Sequence, residues 1–148
     1  MKKIFYIVSL LILICICNSC EKYDPYDFTN RAPISQICDS GISVRAYMGS
    51  PNSVGGCKTF YEVINQSSKS IKYIHINVLV LNKFNDRVYC EIWDKSNVFV
   101  TLTGPLHSGY ECTWETTDLF YNWNAKNLHL DYIRVEFTDG TDKELYID

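Results

Sequence analysis

The sequence predicts an antiparallel β-sandwich of about seven to eight strands, and three observations carry that expectation. Apolar and polar residues alternate at period two through most of the chain beyond Gly41, the pattern of strands with one buried face. Clusters of Gly, Pro, Asn, Asp and Ser break these stretches at short, regular intervals. Alanine, the strongest helix former, occurs only at Ala32, Ala46 and Ala125, whereas the chain holds 11 Tyr, 7 Phe and 3 Trp. No βαβ spacing appears, so a parallel sheet is not expected.

The strands follow in order. Ile42, Val44, Ala46 and Met48 alternate with Ser43, Arg45 and Tyr47. Pro51-Asn52-Ser53 and Gly55-Gly56 then interrupt the chain. A second strand is predicted over residues 57–65, closed by the turn Asn65-Gln66-Ser67-Ser68. The third and longest, residues 71–81, places Ile74, Ile76, Val78 and Val80 on one face and becomes apolar on both beyond Val78. After the turn at Asn85-Asp86, Val88, Cys90 and Ile92 predict a short strand, with Trp93 at its end. Val98, Val100 and Leu102 predict another, ended by Gly104-Pro105. Tyr110, Cys112 and Trp114 alternate with Glu111, Thr113 and Glu115 and read as core positions. The apolar phase of Leu128 and Leu130 shifts by one at Ile133, Val135 and Phe137, which predicts a β-bulge. Asp139-Gly140 reads as a two-residue hairpin turn into a last strand carrying Leu145 and Ile147 on one face.

The N-terminus reads as an address. Met1-Lys2-Lys3 precedes an apolar run of about 14 residues, Ile4 to Cys17, broken only by Ser9. That is short of the roughly 20 residues a spanning helix needs and suits the apolar centre of a secretory signal. The run ends Cys17-Asn18-Ser19-Cys20, which resembles the lipobox of bacterial lipoproteins: small Ser19 precedes Cys20, the cysteine expected to carry the lipid. Cys17 and Asn18 depart from the usual pattern, and an uncleaved membrane anchor is the alternative. The expected layout is a signal helix over residues 1–19, a tether over 20–37 and the sandwich over 38–148. Extended, a tether ending near Gln36 reaches roughly 50 Å at about 3.3 Å per residue.

Charge bounds the partners. The chain has 14 Lys+Arg and 17 Asp+Glu; without Lys2 and Lys3 the balance is 12 against 17, a net −5. That sign argues against nucleic-acid binding, which needs a basic face. The expected partners are the membrane, through Cys20, and a protein or a glycan. The expected location is the bacterial cell envelope, facing the periplasm or the cell surface.

The order Asn65-x-Ser67, Ile71-Lys72-Tyr73-Ile74, Asn82, Asp86-x-Val88-x-Cys90, Thr103-Gly104-Pro105-Leu106, Tyr121-Asn122 and Ile133-x-Val135-x-Phe137-x-Asp139-Gly140-Thr141 resembles the FxLYD type of small bacterial immunoglobulin-like domain. The likeness spans about residues 55–148. Asn85 stands where glycine is usual and Phe120 where tryptophan is common. The resemblance implies an immunoglobulin-like sandwich of uncharacterised function and carries over no catalytic residue.

The residues that bear chemistry point the same way. No His-x-Glu, Gly-x-Ser-x-Gly or phosphate-binding glycine loop occurs; neither an enzyme nor a cofactor is expected. His75 with Asn77, or His129 with Asp131, shares a strand face and could begin a metal site; polar surface residues are the simpler account, and no metal is expected. Cys38, Cys57, Cys90 and Cys112 remain after Cys20. Four cysteines allow three full pairings. Cys90 and Cys112, both at apparent core positions, are the candidate disulfide, with buried free thiols as the alternative. Tyr121 and Trp123, in Tyr121-Asn122-Trp123-Asn124, are the candidate aromatic binding patch.

Overall fold

The computed structural model describes residues 35–145. Eight strands form two four-stranded antiparallel sheets, and no helix occurs among the described residues. The strands are β1 (Ser35–Asp39), β2 (Ile42–Met48), β3 (Thr59–Asn65), β4 (Ile71–Leu81), β5 (Asn97–Leu106), β6 (Tyr110–Thr116), β7 (Asn127–Phe137) and β8 (Asp142–Leu145). One sheet runs β1-β2-β3-β6, the other β5-β4-β7-β8. They stack with β2 over β7 and β1 over β7 and β8. The residues assigned to the signal, Cys20 and most of the tether lie outside the described residues, as does Ile147.

The period-two pattern produces the core directly. Val44, Val63, Ile76, Val78, Ile133 and Val135 are fully buried between the sheets. Each such side chain contributes roughly 1.5–3 kcal/mol relative to leaving it exposed. The outward row of the first sheet is polar: Arg45 and Tyr47 both bond Glu62, and the Tyr47 and Phe60 rings stack. Ser40 and Gly41, both at positive φ, make the β1–β2 turn, the two-residue geometry that matches strand twist. The Asp139-Gly140 hairpin is present with a longer loop: Phe137 N donates to Thr141 O, leaving Thr138, Asp139 and Gly140 between, with Gly140 at φ 84°. Asp139 accepts from Lys69 and Thr141, which hold its carboxyl well below the usual range.

The expected bulge in β7 is present. Asn77 pairs with Tyr132 and Val78 with Leu130, so Asp131 is the extra residue. Three expectations are corrected. The domain's first strand begins at Ser35, ahead of residue 38. Residues 88–92 form no strand: beyond the bridge from Leu81 to Arg87 the chain turns, with Cys90 O accepting from Asp94 N and Lys95 O from Cys90 N. Val88 and Cys90 are buried there while Ile92 is exposed. Gly104-Pro105 does not end β5. Tyr73 pairs with Thr103 and Ile71 with Leu106, so the two residues bulge opposite Lys72 and the strand continues.

β6 departs most from expectation. Its register with β3 sets Trp114 opposite Tyr61 and Cys112 opposite Val63, on the core-facing side as the alternation predicts. However, Tyr110 is 58 % exposed, Cys112 is exposed and Trp114 only partly buried. The strand is the last in its sheet, and of this row Trp114 packs partly against the core while Tyr110 and Cys112 are exposed.

Candidate functional site

A cleft of about 450 Å³ opens where β5 begins, between the loop of residues 90–95 and the segment after β6. Hydrogen bonds fix both of its walls. Val88 N donates to Val80 O and Val80 N to Ser96 O, which clamps the ends of the loop onto β4. Glu91 N donates to Tyr121 O, and Tyr121 N to Cys90 Sγ at 3.3 Å, which ties the loop to the opposite wall. Asp94, at φ 52°, completes the turn and leaves its two preceding residues outside the core. Ile92 and Trp93 therefore stand at the rim, Trp93 59 % exposed. Leu119 and Phe99 are exposed on the other sides, and buried Val98, Phe120 and Cys90 form the floor. Lys95 is the charged residue of the lining. Exposed apolar side chains gathered around one concavity mark a binding surface more often than scattered single ones do.

A ring row continues from the cleft over the outer face of the second sheet. Phe99 stacks on His75, with centroids 6.2 Å apart, and His75 approaches Tyr73. His75 Nδ1 lies 3.0 Å from Thr101 Oγ1 and Nε2 lies 3.0 Å from Glu136 Oε1. A hydroxyl, an imidazole and a carboxylate in this order resemble a nucleophile relay; they lie on the outer row of the sheet, next to Phe99 of the cleft and outside its lining. Asn77 does not join His75 in a site; its amide donates to Asp131 and accepts from Asn97. His129 sits opposite Leu79, and His107 meets Ser70. No group of three or more His, Cys, Asp or Glu placed to hold a metal occurs among the described residues.

Tyr121 and Trp123 differ in exposure, Tyr121 half-buried and Trp123 exposed. Tyr121 bridges to Gly56 and packs against the core. Partial desolvation, then Asp118 and Cys90, push its phenol up. Trp123 is 53 % exposed and covers Gly55, where an added Cβ would meet Nε1 at 3.3 Å. Neither residue lines the cleft. Asn122 between them is structural: its amide donates to Tyr89 O and its Oδ1 accepts from Asn124 N.

The structure does not bring Cys90 and Cys112 together. Cys90 is buried at the cleft floor, whereas Cys112 is exposed opposite Val63 in the middle of β6. Thr116, four residues on, marks the cleft end of that strand, so Cys112 lies about 13 Å along it at roughly 3.3 Å per residue; a disulfide needs Cα atoms within about 7 Å. The cysteine that shares Cys90's surroundings is Cys57, whose backbone N donates to Phe120 O. Burial pushes the Cys57 thiol up, and Cys90 adds to it.

The cleft residues Ile92 and Trp93 were legible only in part. Polar Asp94-Lys95-Ser96-Asn97 directly after Trp93 signals a turn that lifts the tryptophan out. Period two alone assigns Ile92 to the core. The chain matches no protein-family model and no curated protein.

Proposed function

We propose that this protein is a bacterial lipoprotein, anchored through Cys20, whose β-sandwich acts without catalysis as a protein-interaction module of the cell envelope. The observation that supports it best is the cleft bounded by Trp93, Ile92, Phe99 and Leu119. Leaving these side chains in water forgoes roughly 1.5–3 kcal/mol each, and a partner's apolar residues recover it. Aromatic anchors in a concave pocket are the usual centre of binding energy at protein interfaces. The FxLYD-like order of fragments, from Asn65 to Thr141, supports the same reading through its resemblance to small bacterial immunoglobulin-like domains. A glycan-binding role is the second reading, favoured by exposed Trp93 and Trp123, whose flat rings suit the apolar faces of sugars.

The anchor has a direct test. Cells fed an alkyne fatty acid will label the wild-type chain, and Cys20→Ala will lose the label and leave the membrane fraction. Equal labelling of both chains would exclude Cys20 as the point of attachment. More than one acyl chain makes the attachment stable, each buried CH2 contributing about 0.8 kcal/mol.

A further inference from the structure

Four strands lie at sheet edges: β1 and β6 in the first sheet, β5 and β8 in the second. Three of them carry charge. β1 ends in Asp39, β6 holds Glu111 and Glu115, and β8 reads Asp142-Lys143-Glu144-Leu145. Charged side chains keep an edge from pairing with another chain. β5 differs: from Asn97 to Leu106 it has no charged residue. Its stretch Val98-Phe99-Val100-Thr101-Leu102-Thr103 is rich in β-branched and aromatic strand formers.

The edge of β5 is open, and the ladder shows which groups it offers. Val80 N donates to Ser96 O. In that phase Val98, Val100 and Leu102 bond β4 opposite Val78, Ile76 and Ile74. Phe99, Thr101 and Thr103 alternate with them, so their N–H and C=O groups turn away from β4. No hydrogen bond from another element takes these main-chain groups among the described residues. The three side chains lie on the outer face and are exposed. Thr101 Oγ1 is engaged with His75, which leaves the Thr101 backbone free. The bulge at Gly104-Pro105 ends the regular stretch.

A partner selected by charge finds nothing on this strand to read, whereas a second copy finds its complement. Turned about a two-fold axis through Thr101, two β5 strands set Thr101 against Thr101 and Phe99 against Thr103 on either side. Each of these residues meets its counterpart with N–H and C=O both available. Aromatic and β-branched residues pair favourably across strands, and no like charges meet. The chain is acidic, net −3, so an uncharged strip is where two copies approach with least repulsion. One patch paired with itself closes at two copies.

We propose that β5 is a self-pairing edge, through which two copies of this chain join their β5-β4-β7-β8 sheets into one continuous antiparallel sheet. The contact uses main-chain groups at the β5 edge and not the cleft floor. It goes beyond the cleft reading, and its failure leaves that reading standing.

The test expresses two full-length copies with different C-terminal tags in the same cells, one with photoactivatable phenylalanine in place of Phe99. The expected product is an adduct at twice the chain mass that carries both tags. Thr101→Lys or Thr101→Glu in both copies sets like charges across the axis and is expected to lower the adduct about fivefold, the upper end for one cross-strand pair. Thr101→Lys in one copy with Thr101→Glu in the other restores it. Thr103→Pro deletes an edge-facing N–H and no bond to β4, so it lowers the adduct without any charge. These positions lie outside the core, and unchanged circular dichroism checks the fold. No adduct with both tags, or an adduct equally strong in all three variants, would overturn the proposal. So would a mixed Lys/Glu pair no better than either variant alone, or an adduct from position 99 to a different protein.

Discussion

Replacing Asn65 with alanine is expected to destabilise the domain by about 3–4 kcal/mol, because one buried and three part-buried hydrogen bonds are lost at once. Asn65 is 0 % exposed, yet every polar atom of its side chain is used. Nδ2 donates to Lys69 O at 2.8 Å and to Leu106 O at 2.9 Å. Oδ1 accepts from Ser67 N at 3.1 Å and from Ser67 Oγ at 2.6 Å. Its backbone O accepts from Gly109 N as well. One side chain thus joins the β3–β4 turn to the end of β5 and the β5–β6 connection, two links that both cross between the sheets. Alanine takes the partner from Leu106 O and Ser67 N and leaves Lys69 O only its bond from Ser67 Oγ. Each buried polar group left so costs about 1–3 kcal/mol, partly relieved where water reaches the turn. Asn65→Asp is the sharper variant: the carboxylate can still accept from Ser67, but it turns an oxygen toward two carbonyls. Urea denaturation measures both. The aspartate variant is expected to be at least as damaging as the alanine variant, and a midpoint within error of wild type for either substitution would contradict this role.

The second large effect is at Gly104. An added Cβ would lie 2.5 Å from Ile71 O, 2.9 Å from Leu106 N and 3.0 Å from Lys72 O. All three are backbone atoms of paired strands and cannot swing aside. Gly104→Ala is expected to cost about 2–3 kcal/mol, in the range of overpacked cores, and to lower Tm by roughly 10 °C for a domain of this size. Gly109→Ala is the comparison. Nothing lies within 4 Å of its Cβ, but its φ is +82°, so it carries only the left-handed penalty of about 1 kcal/mol. Calorimetry of the pair separates steric from conformational cost; equal losses would refute the close approach at Gly104.

Asn65 and Gly104 also show which features a local pattern can encode. Asn65-x-Ser67 reads as a turn because Asn and Ser bond neighbouring backbone, and that bond is present. The reach of the Asn65 amide to Leu106, 41 positions on, is a tertiary contact that no local pattern encodes. Gly104-Pro105 reads as a strand end because both residues break ladders; here the break is absorbed as a bulge and the strand resumes. Alternation placed the inward faces of β2, β3, β4 and β7 correctly, since both sheets cover them. It placed Tyr110, Cys112 and Trp114 on the correct side of β6, but Tyr110 and Cys112 are exposed and Trp114 packs only partly against the core, because period two reports direction and not cover. The same blindness hid the cleft. Ile92 has core periodicity, but a turn at Cys90–Asp94 stands where that periodicity needs a strand. At Tyr121 and Trp123 the sequence could not tell which ring serves the core: Tyr121 packs against it while Trp123 is exposed.

Reception of a protein at the cleft, with Cys20 holding the domain at the membrane, is tested most directly by cross-linking in cells. A photoactivatable phenylalanine is placed at position 93 of the full chain, with the same residue at position 139, on the exposed hairpin, as control. The expected result is a discrete, protease-sensitive adduct from position 93 alone, lost or strongly reduced when Cys20→Ala releases the chain from the membrane. No adduct above the control at position 139, or an adduct that resists protease and stains as carbohydrate, would contradict it; the latter would favour the glycan reading.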